Sequence, residues 1–393
     1  MAKWVCNKFG DEKSGHMEGF LILEDGKVFQ GQVFGAVVPC ICEIVFNTGM
    51  SGYTEALSDP GYGGQGVVMT FPSVGNHGIN LNDLASEHPA LSALFVRSYY
   101  DGILDENADV SLNDWLVQEN IPGLWDLDTR ELTRYLRENG SMKGMICYDT
   151  CPHFSEVRDA IQEWEMVPQV PIYGAKKKAY HPAFGNVGGE DMNTQQKNAL
   201  VHTNCPHIGL IDYGTKRQLI CLLNQLGADV TVYPYDVSDA EILSDGVKGI
   251  ILSNGPGDPK ACDDALLTVI RELTEAKLPI FALGLGHQLV ALAMGLDTER
   301  MLFGHRGTNH PVRHQETDTI LVTVQNHGYV VTAESVETAD VPVELTYCHI
   351  DDETVEGLSY FHGQVETYQF HPEANPGPND TTYLLKEFVN RMY

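Results

Sequence analysis

The sequence predicts an α/β chain in two parts. The C-terminal half is built on a mainly parallel sheet flanked by helices, and the N-terminal half is β-rich with α+β character. After about residue 205, short and almost wholly apolar runs alternate with helix-like segments, which is how parallel strands covered on both faces read. Before about residue 172, short apolar runs are separated by turn residues. Between the two, periodicity disappears. A chain of 393 residues is long enough for two such domains, each with its own core.

In the N-terminal half, Phe20-Leu21-Ile22-Leu23 runs into the turn Asp25-Gly26 and on to Val28-Phe29 and Val33-Phe34, the pattern of short antiparallel strands. A helix is expected from Thr129 to Arg137, after Asp128. Leu132 and Leu136 share one of its faces, and Asn139-Gly140 supplies its stop. The expected organisation is an N-terminal extension over 1–17, a first domain over 18–171, a linker over 172–205 and a second domain over 206–393. The run Lys176-Lys177-Lys178 reads as solvated linker surface. In the second half, Ile208–Asp212, Val230–Val232, Gly249–Leu252 and Ile280–Leu283 read as strands. Helices are expected near Lys216–Gln225, Ala265–Leu273 and His287–Ala293.

Composition excludes several classes of function. The 54 acidic residues against 25 basic ones give a formal charge of −29, which disfavours nucleic acid as a partner, since phosphate binding needs a basic surface. No apolar run of roughly 18 residues is present, so no membrane span is expected. The first residues, Met1-Ala2-Lys3-Trp4-Val5-Cys6, lack a long apolar core after a basic start, and a cytoplasmic location is expected. The nine cysteines are scattered and odd in number. No second half with ligand spacing follows Cys40-Ile41-Cys42 or the Cys147/Cys151 pair, so neither a disulfide framework nor a metal site is expected.

Open parallel sheets bind ligands at the carboxyl ends of their strands, and three loops there carry distinctive chemistry. Ser253-Asn254-Gly255-Pro256-Gly257-Asp258-Pro259 can form a tight turn with backbone amides facing outward, suited to an anion or a developing oxyanion, although an ordinary turn has the same composition. Gly284-Leu285-Gly286-His287-Gln288 joins a strand to a helix through small residues, the form of a nucleophile elbow, yet the residue at its apex is a glycine. His371-Pro372-Glu373 can supply a base and its orienting carboxylate. Alone, His-x-Glu equally describes a polar turn. After two glycine-rich loops in an α/β half, it completes a catalytic pattern.

The order of these loops resembles the class I glutamine amidotransferase domain, and the flanking sequence resembles the carbamoyl phosphate synthetase small-subunit family. The motifs are Phe46-Asn47-Thr48-Gly49-Met50-Ser51-Gly52-Tyr53, Asp59-Pro60-Gly61-Tyr62, Gly75-Asn76-His77-Gly78-Ile79-Asn80, Asp126-Leu127-Asp128-Thr129-Arg130, Gly304-His305-Arg306-Gly307, Gln325-Asn326-His327-Gly328 and His371 through Pro378. The match runs from about residue 18 to the end. The resemblance implies that the small subunit hydrolyses glutamine and passes ammonia to a large, ATP-using subunit, where ATP and magnesium are expected. This chain has no Walker-type phosphate loop of its own, and no cofactor is expected on it. The resemblance also implies His371 and Glu373 as base and orienting residue, Gly257 and Leu285 N–H groups as the oxyanion hole, and Gly255, Gln288, Asn326, Gly328 and Tyr329 at glutamine-contact positions.

The sequence departs from the family where chemistry is expected. Gly284 stands where the family has its nucleophilic cysteine, Gly49 stands at a glutamine-contact position usually held by serine, and Ala282-Leu283 replaces the commoner Gly-Ile. Cys262 lies in the preceding helical region and does not substitute. Without a thiolate the covalent glutamyl-enzyme route is closed, so a silent glutaminase and an ammonia-dependent complex are expected, with glutamine binding itself in question. The other readings are an engineered nucleophile mutant of an active subunit, which three concordant departures argue against, and a non-catalytic subunit that senses an amino acid.

Overall fold

The computed structural model describes residues 17–103, 105–184 and 205–393. Most of the expected N-terminal extension and part of the expected linker lie outside these residues. The chain forms two compact units: Met1–Gln169 with Met301–Thr308, and Val170–Arg300 with Asn309–Tyr393.

The first unit is a closed barrel of seven strands: β1 (Glu18–Leu23), β2 (Val28–Gly35), β3 (Cys40–Asn47), β4 (Gln65–Met69), β5 (Ala93–Phe95), β6 (Pro122–Trp125) and β7 (Met142–Tyr148). The order around the barrel is β1-β2-β6-β5-β4-β3-β7. The hairpin at Asp25-Gly26 pairs β1 with β2 antiparallel, as its turn residues predict. The pairs β3–β4, β4–β5 and β5–β6 are parallel instead, because longer connections let the chain return in the same direction. Helix α1 (Thr129–Asn139) begins at Asp128, whose Oδ1 accepts the N–H of Glu131 at 2.9 Å, and buries Leu132 and Leu136 against Leu21, Phe46 and Phe95. The segment Met301–Thr308 completes this unit. Thr48 N–H donates to the Arg306 carbonyl at 2.9 Å, Ser141 N–H donates to the Leu302 carbonyl at 2.8 Å, and Phe303 stacks on Phe46 at 5.7 Å.

The second unit is built on a ten-stranded sheet. Its strands are β8 (Ala179–His181), β9 (His207–Asp212), β10 (Asp229–Pro234), β11 (Gly249–Leu252), β12 (Ile280–Leu283), β13 (Thr298–His314), β14 (Ile320–Val331), β15 (Val343–His349), β16 (Val355–Tyr360) and β17 (Val365–Tyr368). The order is β8-β10-β9-β11-β12-β17-β16-β15-β13-β14. The five strands from β10 to β17 in this order are mutually parallel. Alternation along them explains why β11 and β12 are wholly apolar. Ile250, Leu252, Ile280 and Ala282 face Leu266 and Ile270 of α3 (Asp264–Glu275) and Leu289 of α4 (Leu285–Ala293). Ile251, Phe281 and Leu283 face Leu219 and Leu223 of α2 (Arg217–Gln225) and Leu385 and Phe388 of α5 (Tyr383–Asn390). Both faces bury side chains, so polar residues on these strands are few and fall mostly at their ends, as His207, Asp212 and Asp229 do.

The stretch read as linker is not structureless. It contributes β8, which pairs antiparallel with β10 at the sheet edge. Lys178 is exposed, as a solvated lysine is expected to be, and bonds Asp245 at 2.5 Å and Glu241 at 3.4 Å and lies over the Tyr233 ring at 5.2 Å. No helix among the described residues is long and apolar enough to cross a membrane.

Candidate active site

Three strand ends of the second unit converge at the start of α4. Gly284, between β12 and α4, has φ 49° and ψ −109°, and its N–H donates to the Tyr368 carbonyl at the end of β17 at 2.9 Å. Positive φ with this ψ is strained for any residue with a Cβ, which is why elbows of this form store strain at their apex. A Cβ on Gly284 would lie 3.1 Å from Cβ of Asn254 and 4.0 Å from the Gln369 carbonyl oxygen. The apex therefore touches both the loop after β11 and the segment after β17. Leu285 opens α4, so its N–H belongs to the helix's first turn, which lacks intrahelical acceptors. The position fits an oxyanion donor.

The loop after β11 is held against this elbow. Gly286 N–H donates to the Ser253 carbonyl at 3.1 Å, and Ser253 Oγ accepts the Tyr213 N–H at 2.9 Å. Gly255 is required by close approach: a Cβ there would meet the Tyr213 carbonyl oxygen at 2.6 Å and Leu285 Cδ2 at 3.0 Å. Gly257 turns the same loop at φ 101°.

His371 and Glu373 sit together as their spacing predicts, with His371 Nδ1 2.9 Å from Glu373 Oε1 and both residues buried. Sequence reasoning missed their third member. Lys216 Nζ lies 2.8 Å from the same Glu373 oxygen and also donates to the Ala374 carbonyl at 3.0 Å. Burial alone pushes the Glu373 carboxyl up, but the Lys216 ammonium and His371 outweigh it and hold the carboxyl at about 2. The carboxylate is thus fixed in its charged form as the orienting partner of His371 Nδ1. Lys216 is itself placed by Asp212 at the end of β9, whose Oδ1 accepts the N–H groups of Gly214 at 2.8 Å and Thr215 at 2.7 Å. The available signal was a lysine just past the carboxyl end of a central parallel strand, in Asp212-Tyr213-Gly214-Thr215-Lys216.

Gln288, one turn into α4, donates through Nε2 to the Tyr329 carbonyl at 2.8 Å and to Gln369 Oε1 at 2.9 Å. The structure therefore brings together Gln288 and Tyr329 from the predicted contact set. Asn326 and Gly328 lie on the same strand as Tyr329, β14. Gly49 belongs to the first unit, where its N–H donates to Asn47 Oδ1 at 2.6 Å. A Cβ there would stand 2.9 Å from that oxygen, and Asn47 is in turn held by donating to the Tyr62 hydroxyl at 2.7 Å. His287, between the elbow and Gln288, is core. Its Nδ1 contacts Thr367 Oγ1 at 2.7 Å, and burial pushes the imidazole down to about 3, so it stays neutral.

Cys262 does not sit in the environment of a nucleophilic thiol. Its Sγ donates to the Asp258 carbonyl at 3.8 Å, and burial, then the Asp258 charge, push the thiol up to about 11. A nucleophilic thiol needs the opposite environment.

Two family descriptions match the chain: "Carbamoyl-phosphate synthase small chain, CPSase domain" over residues 21–146, and "Glutamine amidotransferase class-I" over residues 209–391. The chain is 40% identical over 372 residues to the carbamoyl phosphate synthase small chain of Listeria monocytogenes, covering 95% of this chain and 96% of that one. It is 41% identical over 374 residues to the small chain of Bacillus caldolyticus, with the same coverage. It is 40% identical over 380 residues to the pyrimidine-specific small chain of Halalkalibacterium halodurans, covering 96% and 97%. With matches to both halves and identity of this order along nearly the whole length, the chain belongs to the carbamoyl phosphate synthase small-chain family and carries a class I glutamine amidotransferase domain.

Proposed function

We propose that this chain is the small subunit of a carbamoyl phosphate synthase whose glutamine-hydrolysing step is silent, so that the complex draws on ammonia. The observation behind this reading is Gly284 at the elbow apex with φ 49°, where a side-chain nucleophile would have to stand. Glutamine hydrolysis by the covalent route needs a thiolate to attack the side-chain amide carbon, expel ammonia and leave a thioester for water to cleave. Glycine supplies no such group, while His371, Glu373 and Lys216 keep the arrangement of a base with its orienting partners. What remains is a water route with the modest enhancement that binding and oxyanion contacts give without a nucleophile, roughly 10³–10⁴-fold over water in serine proteases. The partner is a large subunit, as small-chain relatives imply, and ATP and magnesium chemistry belongs to it. The carbamoyl phosphate made feeds arginine or pyrimidine synthesis.

The test is carbamoyl phosphate formation by this chain reconstituted with its large subunit, with glutamine or ammonium as nitrogen source. Activity with ammonium alone is expected. Comparable activity with glutamine would overturn the reading.

The hydrogen bonds that hold Gln288 against Tyr329 and Gln369 favour a second reading, a subunit that binds glutamine without turning it over and signals its presence to the partner. Calorimetric titration of the complex with glutamine tests it, and the absence of a binding isotherm counts against it.

A further inference from the structure

His327 lies on β14 between Asn326 and Gly328 and is buried. Its Nδ1 is 2.9 Å from the Tyr329 carbonyl oxygen, and its Nε2 is 2.9 Å from Oε1 of Gln325. A carbonyl oxygen has no proton to give, so Nδ1 is the donor. The Gln325 amide cannot be turned to offer a proton to Nε2. Its own nitrogen faces Glu356 Oε2 at 2.9 Å and the Thr323 hydroxyl at 3.1 Å, and that hydroxyl spends its proton on the His310 carbonyl at 2.8 Å. Reversing the amide would set its oxygen against a carboxylate oxygen and a hydroxyl lone pair. With Glu356 ionised, Nε2 therefore donates as well, and a neutral imidazole has only one N–H. A counter-charge stands nearby: Glu356 Oε1 is 3.8 Å from His327 Nε2, with its side chain fully buried.

We infer that His327 is a doubly protonated imidazolium paired with Glu356, and that this buried ion pair positions Tyr329 and Gln288. The Tyr329 carbonyl accepts from both His327 Nδ1 and Gln288 Nε2. Gln288 Nε2 donates its other proton to Gln369 Oε1, and the Gln369 N–H donates to the Glu356 carbonyl at 2.9 Å. The contacts close into a ring through Glu356, Gln325, His327, Tyr329, Gln288 and Gln369. The ring ties β14 and β16 to α4, where the Gln288 N–H donates to Gly284 O at 3.2 Å. Both Nε2 protons of Gln288 are committed, so its side chain presents an acceptor to any ligand at the elbow. The protonation state of His327 thus reaches Gln288 through a single shared carbonyl. The inference does not depend on whether the glutaminase is silent.

The test is nuclear magnetic resonance of the full chain labelled with ¹⁵N-histidine, the signal being assigned by its loss in His327→Gln. At neutral pH both ring nitrogens of His327 are expected at the protonated position, each coupled to a bound proton. In Glu356→Gln, one of them is expected to move to the unprotonated position, and the Gln288 side-chain amide resonances to shift with it. One bare nitrogen in the unsubstituted chain would overturn the inference. An imidazolium that survives Glu356→Gln would overturn the pairing, and unmoved Gln288 resonances would overturn the positioning. Should a variant fail to fold, backbone-correlated spectra of the unsubstituted chain assign the signal and decide the protonation state alone.

Discussion

At position 284 the backbone geometry (φ 49°, ψ −109°) carries a strain for any side-chain-bearing residue of about 1–3 kcal/mol. Gly284→Cys is therefore expected to lower the unfolding free energy by about that amount, read from the denaturant midpoint, while raising glutaminase activity of the reconstituted complex above that of the parent. A substituted protein of unchanged stability would mean that the elbow relaxes around the new Cβ. Glu373 makes a second prediction at this scale. Its folded value of about 2 lies below the ordinary 4.5, so the stabilisation it gives is fully present above the ordinary value and is lost as pH falls from there toward 2. The displacement corresponds to about 3 kcal/mol. Lys216→Met leaves a buried carboxylate without its cation and should cost about 3–5 kcal/mol at neutral pH. It should also flatten the acid limb of a stability-against-pH curve, whereas an unchanged acid limb would assign the depression to His371.

At the scale of elements, β8 is held by Lys178 beside its own pairing and by Asn224, whose Nδ2 donates to the His181 carbonyl at 3.1 Å. A strand this short at a sheet edge gains little from pairing alone. Lys178 fastens it through Asp245, Glu241 and the Tyr233 ring. Lys178→Ala is expected to speed amide hydrogen exchange along 179–181 while leaving β9 and β11 protected, and equal protection before and after would assign the anchoring to the backbone pairing and Asn224. The same element shows what the sequence withheld. Lysines in a glycine-rich stretch carry no mark of the acids they meet more than sixty residues later. By contrast, β9, β11 and β12 are legible because burial on both faces leaves an unbroken apolar run. Gly284, His371 and Glu373 are legible because elbow and His-x-Glu are local patterns. Lys216 and Glu356 are not, since each acts through a partner distant in the chain. The long strands β13 and β14 also escaped, because their burial follows no simple alternation and the residues of β13 are largely polar.

At the scale of the molecule, the division into two units does not follow a single cut in the chain. Met301–Thr308 belongs with the first unit although about 130 residues of the second precede it. A fragment ending at Gln169 lacks the strand that bonds Thr48 and Ser141 and the ring that covers Phe46. Such a fragment is expected to melt below the first unit of the intact chain, and a peptide spanning 299–310 is expected to raise its melting temperature. A fragment as stable as the intact unit would show that segment to be dispensable. Charge acts at the same scale. With −29 formal charges, self-repulsion opposes compaction and is screened by salt. Melting temperature should rise between low and moderate sodium chloride, and a flat response would mean that neighbouring charges already compensate one another.

The glycine at the elbow has a consequence for descent. A lineage that loses its cysteine to glycine gains a backbone without strain, and the stability set free can mask later harmful substitutions elsewhere in the chain. Once those have accumulated, a codon change back to cysteine restores the strain with no margin left to absorb it. The loss then behaves as a ratchet. The longer such a subunit has drifted, the more companion changes a revertant needs before it can both fold and hydrolyse glutamine.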